Sequence, residues 1–498
     1  MPWHNLVEMF KNINISALSP KVFCVAAALF FSGSVWAQSF WTRTYGGMNE
    51  DAGHSLVEAP DSGYLVVGMT GSFGNGASDA YILKTDSLGQ FQWFKTYGGA
   101  NVDIAQKVIT ASNGYFVAGY SNSGNFDYDF WMLRLDQYGD TVWTRKAGGA
   151  DWDRAYSAVS DQNGAYIVSG ESYSGALNQF ADGMLLKIDD AGNTVWTKYF
   201  SLPGNDALKD VVRISPTRYA AVGTRENVVS QTTDGFVLFF DEDGNFLDTV
   251  YYDNGYNEHL NCMAISTLNG DMMLGGYFTY DTTNFPKSIQ IKIDSLGAVD
   301  FSVLAPIPDE FGMEILSYGY YNADIFFFCG RSAYKSSGDH QAVVLKSWDT
   351  GYPEWLRTYG TIGPDDGAGA VIKTYDNGFL AAGFTRSYGP GTQALLLYKI
   401  SSTALTSSGT SVAIKENDAL KADIFVFPNP SSDQMTFRAS STFSLRLMDA
   451  NGRQVTLPAA ALADVYTVNL SHLAAGFYFA EMRFADGSAH VEKIYISK

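Results

Sequence analysis

The apolar residues of this chain come in short bursts separated by glycine-rich turns, and the bursts recur about every fifty positions. The densest are nearly continuous apolar runs closed by glycine: GYLVVG from Gly63, GYFVAG from Gly114, AYIVSG from Ala165, YAAVG from Tyr219, MMLGG from Met272, IFFFCG from Ile325 and GFLAAG from Gly378. A second burst opens on tryptophan: WTRTYGG at 41, WFKTYGG at 93, WTRKAGG at 143, WTKYF at 196 and WLRTYG at 355, with Asp248 and Phe301 holding the place in two divergent units. The steps between these seven positions are 52, 50, 53, 52, 53 and 54 residues. A third series is basic: Lys84, Arg134, Lys187, Lys292, Lys346 and Lys399, with Phe239 as the exception. Repetition at a fixed period of this size marks stacked supersecondary units.

Each unit reads as four short strands: one at the tryptophan, one after the Gly-Gly turn, the apolar run, and an AYILKTD-like run closed by a turn such as DSLG, DQYG or DDAG. Glycine supplies positive φ in such turns and aspartate bonds nearby amides. No unit carries helical periodicity. A strand with one wet face alternates apolar and polar residues; the apolar runs do not alternate, so both of their faces are buried. Sheets stacked radially meet that condition, and a two-sheet sandwich does not. The expected fold is all-β, a seven-bladed β-propeller. The chain opens on a tryptophan strand, Ser39 to Tyr45, and the seventh unit ends near Ile400 without one. The first strand is therefore expected to complete the last blade and leave no free edge.

The turn-plus-tryptophan phrase, such as DDAGNTVW from Asp189, resembles the tryptophan-docking repeats of quinoprotein-type propellers. The resemblance covers about a dozen residues per unit and implies blade architecture, not a bound quinone, because no cofactor constellation accompanies it. The tryptophans are read as scaffold, stacked between blades, with ligand stacking as the competing reading.

Two flanking regions differ from the repeats. Lys11 and Lys21 precede an apolar run, Val22 to Phe31, and Val35-Trp36-Ala37 supplies small residues for cleavage after Ala37, the pattern of an export signal. The run is too short to span a bilayer, and no other stretch is long enough. Residues 401–423 are small and polar and read as a linker. From Ile424 a new strand pattern begins, with alternation in Ser444-Leu445-Arg446-Leu447-Met448 and a hairpin turn at 449–452. Pro428-Asn429-Pro430, Asp449 to Arg453 as D-x-x-G-R with Gly452, Leu470-Ser471-x-Leu473, Ala475-Gly476-Phe477-Tyr478 and a final Lys493-Ile494 strand follow in order. This segment closely resembles the type A C-terminal sorting domain of type IX secretion cargo. The resemblance implies a small Ig-like β-sandwich recognised by the outer-membrane export machinery; an ordinary adhesive sandwich is the competing reading. The organisation expected is a signal peptide at 1–37, a propeller at 38–400, a linker at 401–423 and a sorting domain at 424–498.

Charge narrows the partners. The formal net charge is -19, which repels phosphate backbones and argues against nucleic acid. Cys24 lies in the signal, and Cys262 and Cys329 fall in different repeats, so no disulfide is expected. Ten residues after each tryptophan position stands an acid: Asp51, Asp103, Asp153, Asp206, Glu258 and Asp365, with Phe311 breaking the series. If they ring one channel mouth they are candidates for a ligand or a cation, calcium above all; otherwise they accept backbone N–H groups at blade-to-blade turns. A second acidic series, Asp79, Asp129, Asp182 and Asp234, reads as turn chemistry, and the basic series as its ion-pair partner. The D-x-x-G-x-x-x-W phrase differs in spacing from the sialidase Asp-box, and no G-x-S-x-G, HExxH or phosphate loop is present. No catalytic residue and no cofactor are assigned. The expected function is a secreted or surface-displayed binding protein for a glycan or a protein, with a polysaccharide hydrolase or lyase and a purely structural surface protein as alternatives.

Overall fold

The computed structural model describes residues 41–401 apart from 125–126, 176–179, 267–269, 280–285, 305–310, 323–324, 335–339, 349–352, 362 and 390, and beyond them residues 411–412, 424–427, 434–449, 454–455, 463–484 and 489–496. The expected signal peptide and its expected cleavage point after Ala37 lie outside this range, as does most of the expected linker. The described residues contain strands and no helix, so none crosses a membrane as a helix.

Up to Ile400 the strands pair into seven four-stranded antiparallel sheets. Blades one to six run 51–97, 103–147, 153–200, 206–252, 257–304 and 311–359. The seventh joins three strands of 366–400 to Trp41–Tyr45, the first strand among the described residues. Trp41 pairs with Lys399 and Tyr45 with Leu395, which is the closure expected from strand order. The opening strands of successive blades lie against one another around the ring, and each blade then steps outward strand by strand. The tryptophan strand is thus the outermost of its blade, and the blade begins at the strand after Gly-Gly.

Burial follows that order. Tyr64–Thr70 and Asp79–Thr85, the middle strands of blade one, are buried along almost their whole length, whereas the outer strand Thr141–Ala147 of blade two is half-buried to exposed. Each core cluster draws on adjacent blades: Val66, Leu83, Leu380 and Leu397 form one, and Val67, Ile82, Val117 and Leu133 the next. A blade therefore shares its core with both neighbours and has none of its own.

The outer-strand tryptophan locks one blade to the next. Trp41 of blade seven lies on Gly89, in the turn between the third and fourth strands of blade one; Trp93 lies on Gly139, Trp143 on Gly192 and Trp196 on Gly244, each one blade further on. Trp143 Nε1 donates to the Asp190 carbonyl at 2.8 Å and Trp196 Nε1 to the Glu242 carbonyl at 3.1 Å. The turn glycine has φ of +80° at Gly139, a conformation that disfavours any side chain, and a Cβ there would enter the indole. Asp86 shapes the turn that carries Gly89 by accepting the Leu88 and Gln90 amides at 2.8 and 2.7 Å.

The basic series does form ion pairs, but not with the Asp79 series. Lys84 meets Asp61 at 2.8 Å, Lys187 meets Asp161 at 3.0 Å and Lys399 meets Asp376 at 2.6 Å, all carboxylates in the turn between first and second strands. Arg134 instead reaches Asp190 of the next blade at 2.8 Å. Where Phe239 replaces the base, the Arg218 guanidinium sits 4.9 Å from its ring centre. Cys262 and Cys329 are buried free thiols.

In the C-terminal region the long strand Gln434–Asp449 pairs with Ile424–Phe427 and Ala463–Asn469 through its first half, and with Gly476–Phe484 and Gln454–Val455 through its second. Ala489–Ile496 closes the set against Gly476–Phe484. Met435, Phe437, Phe443, Leu447, Ala480, Met482 and Ile494 form its core. The pairing is a single network hinged on the long strand; it does not by itself draw the two facing sheets of an Ig-like sandwich.

Because Trp41 is 5% exposed and Trp152 is 45% exposed, replacing each by alanine separates scaffold from surface. Trp41→Ala should destabilise the ring by about 3–5 kcal/mol and Trp152→Ala by less than about 1 kcal/mol. Urea unfolding of both variants measures this, and equal losses would refute a special role for the lock.

Candidate binding site

The axial strands begin with the acidic series. Asp51, Asp103, Asp153, Asp206 and Glu258 each sit in the first turn of residues of an inner strand and are at most 1% exposed. Asp365 does not belong to this set. It is half-buried and pairs with His340 at 3.3 Å, and its neighbour Asp366 holds the equivalent place, opposite Thr385 in register and fully buried. Phe311 is likewise displaced: Met313 donates its amide to the Pro286 carbonyl of the preceding blade, as Asp103 does to Ser78. The loop between outer strand and next blade is longer by one residue in one case and two in the other, which moves a fixed count off register.

These acids face between blades, not into the channel. Asp51 Oδ2 accepts the Gly47 amide at 2.8 Å and the Ser72 hydroxyl at 2.7 Å, and Thr70 bonds Oδ1. Asp103 repeats the pattern with Gly99 at 2.8 Å, Ser123 at 2.6 Å and Ser121. Asp153 and Asp206 accept the Gly149 and Leu202 amides at 2.9 and 2.7 Å. Such charge-assisted bonds contribute about 1.5–3 kcal/mol each. Together they explain the Gly-Gly phrase: Gly98 has φ of +154°, and a Cβ there would collide with both Asp79 and Asp103. The two acidic series thus meet across blade junctions, Asp79 beside Asp103 and Asp129 beside Asp153. Burial, and then the charge of Asp182, pushes the Asp206 carboxyl up to about 7.

The channel is lined by the residues between. Every inner strand bulges two residues past the inner-acid position or its equivalent, as at Ala155/Ser157, Leu208/Asp210 and Leu260/Cys262. A bulge frees a residue from the ladder and re-aims its side chain. The freed residues are His54, Gln106, Tyr156, Lys209, Asn261, Leu316 and Gly369. In blades one, two and seven the freed residues are His54, whose ring bonds the Ala105 carbonyl at 3.0 Å, Gln106 and Gly369, and the next residue of blade two, Lys107, reaches Asp210 of blade four at 3.8 Å. In blades three to six the wall is charged and aromatic, around a cavity of about 430 Å³ lined by Glu171, Lys209, His259, Tyr277, Glu314 and Arg331 among others.

Glu171 is the centre of this wall. It accepts the Tyr156 hydroxyl at 2.6 Å and Arg154 Nη1 at 3.4 Å, with Lys209 Nζ at 3.9 Å. The Lys209 ammonium also lies 3.9 Å from the Tyr156 ring centre. Burial lowers the Lys209 pKa, and burial followed by the Glu171 charge raises that of Tyr156. His259 stacks on Tyr277 with ring centres 4.6 Å apart, and burial, then Lys209, keeps it below the usual histidine range. Arg331 bonds Glu314 at 2.5 Å. Beyond Arg154 the rim is aromatic: its guanidinium is 4.7 Å from the Trp152 ring centre and 5.0 Å from that of Tyr128. Nothing in the repeat pattern marks these residues. The one available signal is that they break it, varying from unit to unit at two fixed places on the inner strand and at one on the strand beside it.

In the C-terminal region Asp449 ends the long strand and pairs with Tyr478, whose hydroxyl donates to the Ala474 carbonyl at 3.1 Å. Gly476 pairs with Ile496 and Lys493 with Phe479; Pro428, Asn429, Pro430 and Gly452 lie outside the described residues. Residues 425–497 match the family described as the secretion system C-terminal sorting domain. This is a type IX sorting tail. A chain that carries such a sorting domain is secreted or held at the cell surface, and the tail is what the type IX machinery recognises. No curated protein matches the sequence.

Among solved structures the chain is similar to the extracellular domain of the putative one component system BT4673 from B. thetaiotaomicron, at 10% identity and a TM-score of 0.40, over 93% of this chain and 58% of that one. It is also similar to the Neurospora crassa Pan2 WD40 domain, at 11% identity and a TM-score of 0.41, over 71% of this chain and 97% of that one. Sqt1 from Chaetomium thermophilum gives 13% identity and a TM-score of 0.41, over 78% and 97%. The chain spans little more than half the length of the first of these.

The raised Asp206 pKa has a defined sign. A carboxyl that titrates near 7 in the folded state and near 4 when unfolded holds an extra proton in the fold between those values, so stability falls as pH rises from about 4 to 7. Asp206→Asn removes that loss. In chelator-containing buffer the advantage of the variant over the parent should grow by roughly 1–3 kcal/mol between pH 5 and pH 8. Parallel melting curves at the two pH values decide the point, and an equal gap at both would reject the assignment.

Proposed function

We propose that the exported propeller is a binding module whose ligand, a glycan, enters the channel mouth between blades three and six. The observation that carries this reading is the concentration of Glu171, Lys209, His259, Tyr277, Glu314 and Arg331 around one cavity. In blades one, two and seven the register of His259 and Glu314 holds Ala52, Ile104 and Gly367, that of Lys209 holds His54, Gln106 and Gly369, and that of Glu171, Tyr277 and Arg331 holds Met69, Tyr120 and Phe384. Paired carboxylates and cations offer both acceptors and donors to sugar hydroxyls, and Trp152 adds an exposed aromatic face at the rim. Sites for small ligands are concave, with a few convergent polar groups.

A surface polysaccharide hydrolase or lyase is the second reading. It is favoured by Lys209 and Tyr156, whose pKa values are shifted in opposite directions on either side of Glu171, the kind of pair that moves protons. A panel of soluble polysaccharides incubated with the full-length protein separates the two. Binding without new reducing ends or unsaturated products supports the module; product that disappears in Lys209→Met supports the enzyme. On the first reading Lys209→Met should weaken binding at least about tenfold, the loss of one charged hydrogen bond, with the melting temperature held within a few degrees. Retention of full affinity would remove the cavity from consideration.

Export gives a second expectation. A chain truncated before residue 425 should remain in the cell envelope of its host, and residues 401–498 fused to an unrelated periplasmic protein should carry it to the surface. Fractionation with immunoblotting reads both, and surface display of the truncated chain would contradict a role for the tail.

A further inference from the structure

At the junction of blades four and five the two acidic series bring Asp234 and Glu258 together, and the loop into blade five adds Asp253. One ligand oxygen from each lies within 4.8 Å of the other two, and no other trio of this kind occurs among the described residues. Asp234 and Glu258 are fully buried and Asp253 is exposed, so the cluster opens to solvent on one side. Three carboxylates have one protein counter-charge between them. Arg225 donates to Asp234 Oδ2 from Nη2 at 2.8 Å and from Nε at 3.1 Å, and Thr232 bonds Oδ1 at 3.2 Å.

Glu258 is not satisfied in the same way. The turn amides of Asn254 and Tyr256 approach it, with Asn254 N–H donating to Oε1 at 3.0 Å, but Oε2 is buried and has no hydrogen-bond partner. The reason is visible in the register. The equivalent acids Asp51 and Asp103 face Thr70 and Ser121, whose hydroxyls bond them. Glu258 faces Phe278, which offers no donor. Relative to blades one and two, blade five has lost that hydroxyl, lengthened the acid from aspartate to glutamate, and gained a third carboxylate; Asp153 and Asp206 also keep one unpartnered oxygen, but among the described residues no third carboxylate joins them. An orphaned buried carboxylate oxygen is costly unless a cation meets it.

We propose that Asp234, Asp253 and Glu258 form a divalent-cation site, with Glu258 Oε2 as the buried ligand and Asp253 as the solvent-side ligand. The donor set is all hard oxygen, which suits calcium over transition metals. With Arg225 counted, the cluster carries two uncompensated charges, matched by one such ion. The solvent-side opening leaves room for the waters that complete a coordination shell of six to eight, whereas magnesium demands a tighter octahedron.

The test uses the full-length protein stripped with chelator and titrated with calcium chloride by calorimetry, with melting curves at each step. One site is expected, with a dissociation constant of about 10⁻⁵–10⁻³ M and a rise in melting temperature that saturates with occupancy. Glu258→Gln should abolish both. Asp253→Asn changes an exposed residue and should leave the calcium-free melting temperature unchanged while weakening binding at least about tenfold; it keeps the proposal decidable if Glu258→Gln fails to fold. Absence of binding to the parent, or binding of equal strength in Asp253→Asn, overturns it. Neither result bears on the channel cavity, whose ligand is read in a separate assay.

Discussion

Every blade of this ring is dry on both faces and too thin to be dry alone. The apolar clusters straddle neighbouring sheets, so no blade holds a complete core until both neighbours are in place. That single constraint accounts for the nearly unbroken apolar runs, for the seven-fold repetition, and for the need to close. The tryptophan-on-glycine lock acts at the same interface from outside. At four junctions it fixes the spacing of blades with one large side chain, and the glycine of the receiving turn is what allows the indole to approach. Trp41 joins both devices, since its strand pairs with the seventh blade while its ring rests on the first.

Much of this architecture is legible in sequence because it is written seven times. Burial on both faces shows in the runs from Gly63 onward, and strand order is enough to place Trp41–Tyr45 in the last sheet. Counting along the chain fails where loops change length. The offset from tryptophan to inner-strand acid is ten residues in most units, eleven before Asp366, and the corresponding site beyond Phe301 is Met313. The basic series was separable from the scaffold, but its partners were not, because Asp61 and Asp79 look alike until the sheet order shows that Lys84 and Asp61 share one end of the blade. The channel wall was illegible for a different reason. Its residues differ in every unit, and only the bulge shared by all seven inner strands reveals that those positions turn toward the axis.

The repeat separates two kinds of residue. The recurrent positions (the tryptophan, the turn glycine, Gly-Gly and the first inner acid) make bonds within the ring, and Asp51 and Asp103, which seemed placed to meet a ligand, are occupied by amides and hydroxyls. Positions that vary are free of that duty. Blades three to six use them for Tyr156, Lys209, His259 and Glu314, while blades one, two and seven fill them with small or neutral groups. Binding character is therefore a property of one side of the channel, and the opposite side gives it a wall of fixed shape. The tail is built differently again, on one long strand shared by all its partners.

Closing the ring with the first strand fixes when the fold can finish. Trp41 is made among the earliest residues of the repeat region and its partner Lys399 among the latest. Until the residues near Ile400 have been made the first strand has no sheet to join, and the seventh blade lacks its rim. Resistance to proteases and to mechanical opening should arrive in one late step, when the two ends of the repeat region meet.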